Sequence, residues 1–237
     1  MDFGLVHLLW DAGWGLAILR GALVTISVGI LGMIFGMAIG LALAVIKWSR
    51  VPVLALLVDA YGTVVRSVPG LLVIYLLFFG SVEFVTSVGT FFGYEDAFQD
   101  AYSFLVGVAA ISLISAAYAA EVFRGALASI HKGQIEAARA LALPRRRLYS
   151  RIIGPQMLRY ALPGISNIWQ STIKDTSLVS VTGLVEVMRI AYVAAGSTKQ
   201  PLLFFVIAAA VFFAITLASQ GLFDLVERNL NRGVKAA

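Results

Sequence analysis

Long runs of apolar residues are the sequence feature that most limits how this chain can fold. Windows of about 20 apolar residues, the length that an α-helix needs to cross a bilayer, lie near residues 21–46, 66–85, 103–123, 162–184 and 201–226. Charged residues make up only 13% of the chain, about half the usual share of a water-soluble domain. The apolar surplus must face lipid, and we therefore predict an all-α membrane protein with five transmembrane helices.

The distribution of basic residues between these windows predicts how the chain is oriented. Short cytoplasmic loops collect Lys and Arg. The gap 124–159 carries eight of them and the stretches 47–66 and 227–237 carry three each, whereas 1–15 and 86–102 carry none. We expect the N-terminus outside and the C-terminus inside, with the long gap forming a cytoplasmic loop.

Composition and motif content exclude several classes of function. The chain has no cysteine, and its two histidines, His7 and His131, are far apart, so we expect no metal site. The net charge of +5 follows from the loop asymmetry and does not require a nucleic-acid partner. No phosphate-binding G-x-x-x-x-G-K-[ST] motif and no Ser/His/Asp grouping is present, so we expect one transmembrane domain over residues 1–237 that is not an enzyme and binds no cofactor.

The second apolar window contains a helix-breaking sequence. Pro69 lacks an amide donor and disfavours the helical conformation at Val68. We predict a separate helix over residues 53–65 and a break before the remainder of the span. Arg66, next to this break, either faces a cavity or only marks the cytoplasmic boundary.

Glycines in the first window recur at a spacing that favours close helix packing. Gly32, Gly36 and Gly40 are four residues apart and therefore lie on one helix face. Small residues at this spacing let a second membrane helix approach closely, so we expect a packing role for them.

A short helix is predicted inside the long cytoplasmic gap. Residues 134–141 are good helix formers bounded by Gly133 and Pro144, and a second short helix over 145–153 should stop before Pro155. The small alanines suit docking into a groove of a partner, although a solvated basic loop that only fixes orientation fits the composition equally well. The candidate docking residues are Gly133, Glu136, Ala137, Ala138, Ala140 and Leu141.

The segment GQIEAARALALP, followed by Ile152 and Pro155, resembles the EAA loop of ATP-binding-cassette (ABC) importer permeases. Ala142 stands where that family usually has Gly, and Gly154 where Leu is common. The stretches TVVRSVPGLL, YAAEVFRGAL, RYALPGISNIWQ and KDTSLVSVTGLVEV resemble the polar amino acid branch, nearest to the permeases for histidine, lysine, arginine and ornithine or for opines. The likeness extends from about residue 15 to 232.

The resemblance implies a type I importer permease in the inner membrane of a bacterium. Two such subunits, identical or homologous, would associate with two ATPase subunits that hold ATP and Mg. A periplasmic or lipid-anchored solute-binding protein would deliver the amino acid. Residues 124–159 would then be the coupling loop, with its short helix transmitting movement from the ATPases.

The fourth window is unusually polar for a membrane span. Lys174 and Asp175 lie near its middle, where a charge costs several kcal/mol unless it is paired or hydrated. One hypothesis is a water-filled path in which acidic groups bind a cationic or zwitterionic amino acid and hydroxyl groups assist. The alternative is that both charges pair with neighbouring helices and serve structure only. The candidate path residues are Lys174, Asp175, Thr176, Ser177, Glu186 and Arg66.

Two other functions remain open from the residues alone. An ATP-independent secondary transporter or channel would usually show an internal repeat, and none is visible. A membrane scaffold without transport activity would not need a polar span. ATP-dependent uptake separates the first alternative from an ABC importer.

Overall fold

The computed structural model describes residues 12–49, 51–92 and 97–231, and the regular elements of these residues are all helical. A π-helical turn, Tyr149–Ile153, joins α6 to α7, and a 3-10 helix, Thr176–Thr182, follows α7. The α-helices are α1 (Trp14–Trp48), α2 (Pro52–Ser67), α3 (Gly70–Phe92), α4 (Ala97–Ala128), α5 (Lys132–Ala140), α6 (Arg145–Leu148), α7 (Gly154–Asp175), α8 (Val187–Thr198) and α9 (Pro201–Asn231).

The five predicted spans correspond to three single helices and two bent pairs. Helices α1 and α9 and residues Ala101–Ala128 of α4 are each long and apolar enough to cross a bilayer. Helices α2 and α3 meet at 105°, and the segment Arg145–Thr182 meets α8 at 54°. Three helices therefore qualify on their own, and counting each bent pair as one broken span gives up to five. Residues 1–11 and 232–237 lie outside the described residues, and the orientation of the termini stays a prediction.

Helices α1 and α4 form the centre of the bundle through the glycine face of α1. A Cβ atom added at Gly36 would lie 2.6 Å from the Ser115 Cβ and 3.1 Å from the Ser112 carbonyl oxygen. At Gly40 the added atom would lie 2.5 Å from the Ala119 Cβ. The glycines therefore have the close-packing role that their spacing predicts.

The predicted break in the second span is confirmed. Val68 separates α2 from α3 in an extended conformation, with φ −91° and ψ 135°, directly before Pro69. This is the conformation that a following proline favours. The result is a sharp corner, after which Gly70 lies beside Ile114 near the middle of α4.

The predicted helix end before Pro155 is wrong. The chain remains helical from Arg145 through the π turn into α7, so the helix that contains the fourth apolar window begins well before residue 162. The Gly154 amide bonds the Tyr149 carbonyl oxygen, five residues earlier. Pro155 is the second residue of α7 and directly follows the π turn, where the hydrogen-bond spacing has already changed from four residues to five.

Candidate translocation path and coupling helix

A cavity of about 530 Å³ lies between the α2–α3 corner, α4 and α7. Its size falls within the range of small-molecule sites, about 300–1,000 Å³. Apolar and polar side chains are mixed along its wall, so it can hold water and a polar solute. The lining residues are Val65, Val68, Gly70, Ile114, Ser115, Tyr118, Glu121, Val122, Gly164, Asn167, Ile168, Ser171, Thr172 and Asp175.

Helix α7 presents a polar stripe to this cavity. Asn167, Ser171 and Asp175 are four residues apart and share one face of the helix. A hydrogen bond of 3.0 Å between the hydroxyls of Ser115 and Thr172 ties α4 to α7 behind the stripe. The stripe offers a carboxylate, an amide and a hydroxyl, which are suitable partners for an ammonium or guanidinium group.

Glu121 lines the cavity and pairs with cations from three helices. Its Oε2 accepts a hydrogen bond of 2.7 Å from Arg124 Nε. Its Oε1 lies 3.4 Å from Lys47 Nζ and 3.7 Å from an Arg66 guanidinium nitrogen. Lys47 also pairs with Asp59 at 2.5 Å. Arg66 is therefore paired with Glu121 of α4.

The remaining residues of the KDTS segment point away from the cavity. Lys174 borders a separate groove of about 340 Å³ that also contains Ser177, Met188 and Phe205. The Ser177 hydroxyl donates to the Lys174 carbonyl oxygen at 2.7 Å. Thr176 is buried, and its hydroxyl donates to the Ile173 carbonyl oxygen at 2.6 Å. Adjacent helical positions point in different directions, so this segment places only Asp175 in the cavity.

Glu186 is buried and forms hydrogen bonds that hold α1 and α8 together. Its side chain is 1% exposed and caps the N-terminus of α8, where Oε1 accepts from the Arg189 amide at 2.7 Å. Its Oε2 accepts a hydrogen bond of 3.3 Å from the Thr25 hydroxyl of α1. This carboxylate is occupied by α1 and α8 and does not line the cavity.

Sequence reasoning did not single out several lining residues as path residues, although a usable signal existed. Tyr118 and Glu121 are three residues apart on α4, and Asn167 and Ser171 precede Asp175 at four-residue intervals. A search for polar residues at helical spacing would have collected them. Ranking residues by charge selected Lys174 and Glu186, because it ignored which face each one occupies.

Helix α5 is fixed at both ends by local hydrogen bonds. The His131 side chain caps its N-terminus by accepting from the Gly133 amide at 3.2 Å. At its C-terminus the Leu143 amide bonds the Ala138 carbonyl oxygen and the Ala142 amide bonds the Arg139 carbonyl oxygen. This is a Schellman arrangement, whose left-handed position usually holds glycine. Ala142 occupies it with φ 51°, at the position where ABC permeases usually have Gly.

The candidate docking residues of α5 divide between an inner and an outer face. Ala138 is buried and packs against a cluster that contains Leu127, Ile130, Leu148 and Ile153. It therefore attaches α5 to the bundle and does not face a partner. Gly133 is half-buried beside the N-cap. The outward residues are Glu136, Ala137, Ala140 and Leu141, the last of which is 76% exposed.

Comparison with known proteins agrees with this architecture. Residues 32–232 match the family described as binding-protein-dependent transport system inner membrane component. The chain is 44% identical to the nopaline transport system permease protein NocQ of Agrobacterium fabrum, with both chains fully covered. It is 36% identical to the histidine/lysine/arginine/ornithine transport system permease protein HisQ of Escherichia coli, over 95% of this chain and 98% of that one.

A solved structure shares the fold. The crystal structure of an amino acid ABC transporter with histidines has a chain that aligns with a TM-score of 0.79 and 27% identity, covering 97% of this chain and all of that one. Because the family match spans most of the chain and the relatives align almost end to end, this chain belongs to the binding-protein-dependent transport system inner membrane components, the permease subunits of ABC importers.

Proposed function

We propose that this inner-membrane permease subunit carries polar or basic amino acids, or opines, through the cavity between α2, α4 and α7. The names of the relatives, which cover nopaline and the histidine, lysine, arginine and ornithine group, support this substrate class. Family membership favours an ATP-driven importer over the ATP-independent transporter. The observation that carries the proposal is the Asp175 carboxylate on the polar wall of the cavity.

Asp175 is the proposed recognition group for the positive charge of the substrate. Its carboxylate is half-buried at the cavity wall, where a solute cation binds more strongly than in open water. Ser171, one helical turn before Asp175, and Asn167, two turns before it, supply neutral hydrogen-bonding groups on the same face. Because these three groups each bind the solute weakly, a solute can move from one to the next along α7 without being trapped.

The outward face of α5 is the proposed contact with a separate ATPase subunit, which holds ATP and Mg. Ala137 and Ala140 leave room for a partner surface, while Glu136 and Leu141 supply a charge and an apolar contact. A second permease subunit, identical or homologous, completes the path, and a periplasmic or lipid-anchored solute-binding protein delivers the solute. Residues 124–159 form the cytoplasmic coupling loop in this arrangement.

The Asp175→Asn variant tests the recognition group. In proteoliposomes that contain the assembled importer, we expect KM for a basic amino acid to rise at least tenfold, since a hydrogen bond to a charged group contributes about 1.5–3 kcal/mol. ATPase activity without substrate should not change. Asp224→Asn, the same chemical change on the exposed part of α9, is the control and should transport normally. An unaltered KM for Asp175→Asn would remove this residue from the path.

The Glu136→Arg variant tests the coupling contact. We expect ATP-dependent uptake to fall more than tenfold, because the reversed charge opposes the partner surface that Glu136 faces. The subunit should still insert into the membrane, since Glu136 is exposed and outside the core. Glu227→Arg near the end of α9 is the matched control. Normal uptake by Glu136→Arg would show that the α5 face does not transmit movement from the ATPase.

A further inference from the structure

Helix α2 has little of its surface in the protein core. Only Val58 and Gly62 of its residues are buried. Large apolar side chains point outward instead, with Val53 67% and Leu56 70% exposed. In lipid there is no hydrophobic driving force between helices, and close packing and interhelical hydrogen bonds hold them together. A helix with only two buried residues is therefore weakly held by packing.

Polar contacts attach α2 to its neighbours. Asp59 pairs with Lys47 of α1, and Arg66 lies 3.7 Å from Glu121 of α4. The Tyr61 hydroxyl donates to the Leu113 carbonyl oxygen of α4 at 2.6 Å. Asp59 is 54% exposed, and partly exposed ion pairs contribute only about 0–1 kcal/mol each. These contacts can be broken and remade at low cost.

Movement of α2 would change the cavity, because α2 ends at the corner that lines it. It ends at the extended Val68 beside Pro69, where the chain turns by 105°. A short non-helical connection can absorb the changes in φ and ψ that a hinge requires. Val65 and Val68 both line the cavity, so rotation about this corner widens or narrows the cavity.

We infer that α2 is a gate on the cavity, latched by the ion pairs around Glu121, and that it moves relative to α1 and α4 in every transport cycle. Glu121 is the positioning residue, because it lines the cavity and holds cations from α1, α2 and α4. The inference rests on the proposed function, since a gate has meaning only if solute passes through this cavity.

Cross-linking of α2 to α1 tests the gate. The chain has no cysteine, so Lys47→Cys with Asp59→Cys gives a unique pair. The assembled importer in proteoliposomes is treated with a short reducible bismaleimide. We expect uptake to fall at least tenfold and to recover when the linker is cleaved. Two controls should show no reversible loss of uptake. One is the double-cysteine variant treated with N-ethylmaleimide, and the other is the Lys47→Cys single variant treated with the bismaleimide.

Two outcomes distinguish the gate from the proposed function. If the cross-linked importer takes up amino acid as fast as the unlinked one, α2 does not move and the gate is wrong. If the unmodified importer takes up no amino acid at all, the proposed function is wrong. The cross-link then has no transport to inhibit, and the gate is wrong as well.

A second variant tests the latch without a cross-link. In Glu121→Gln we expect a cysteine at Val65, on the gate, to react with a water-soluble maleimide at least threefold faster than in the otherwise unchanged chain. A cysteine at Val108, in the apolar core of α4, should remain unreactive and so report an intact fold. Equal reaction rates at Val65 with and without the Glu121 charge would overturn the latch.

Discussion

Helix α4 contacts α1 and α2 in two physically different ways. Against α1 it packs through backbone and small side chains, so closely that a single added methyl group at Gly36 would overlap Ser115. Against α2 it makes an ion pair and one hydroxyl-to-carbonyl hydrogen bond, and most of α2 remains exposed. The difference separates a rigid frame, formed by α1 and α4, from α2, which can move.

The two kinds of contact respond differently to a small displacement. Dispersion forces between close-packed helices decline steeply when a gap of less than 1 Å opens. An ion pair such as Arg66–Glu121 keeps most of its attraction over the same distance, because Coulomb energy falls only as 1/r. Helix α1 is therefore locked in register with α4, whereas α2 can shift while remaining attached.

Overpacking the frame should produce the largest effect. In Gly36→Leu the new side chain meets the Ser112 carbonyl oxygen and the Ala116 amide nitrogen of α4, which cannot move aside. We expect a loss of at least about 1–3 kcal/mol in unfolding free energy and poor assembly with the ATPase. Thermal unfolding of the purified complex measures this. Gly221→Leu on α9, where the added atom meets nothing within 4 Å, is the control and should behave like the wild type.

A smaller and opposite effect is expected at α5, the proposed coupling helix, whose C-terminus is held by local hydrogen bonds. Ala142→Gly should stabilise the protein by about 0.5–1 kcal/mol, because glycine avoids the strain of φ 51° but costs more entropy on folding. The melting temperature of the complex should rise slightly. Ala140→Gly within the same helix should lower it instead, by a similar amount. A drop for Ala142→Gly would contradict the Schellman assignment.

Removing an ion pair from α2 should give the smallest change in stability. Asp59→Asn eliminates the charge that pairs with Lys47, and we expect a loss of less than about 1 kcal/mol for this partly exposed contact. Thermal unfolding at low salt is the suitable measurement, since salt screens such pairs. A loss as large as that of Gly36→Leu would mean that α2 belongs to the frame.

Sequence patterns predicted the frame better than the site. Apolar length placed the five spans, glycine spacing identified the packing face of α1, and Pro69 marked the corner after α2. These features depend on neighbours along one helix. The helix end expected before Pro155 was wrong, because a π turn moved the proline into a tolerated position.

The candidate site could not be predicted in the same way, because it consists of groups that only the fold brings together. Asp175 and Lys174 are adjacent in sequence but face different cavities, and Glu186 is occupied by Thr25, 161 residues away. Charge alone cannot reveal such long-range partners. Helical spacing would have recovered the polar stripe of α7, but the groups around Glu121 come from three helices and required the structure.

The accessibility of a cysteine at Ser171 tests most directly whether the cavity is the translocation path. In the assembled importer we expect Ser171→Cys to react with a water-soluble maleimide and to be protected by a transported amino acid. Leu217→Cys, on the outer surface of α9, should react slowly and without protection. A Ser171→Cys variant that transports normally but is unreactive, or whose labelling ignores substrate, would contradict the account.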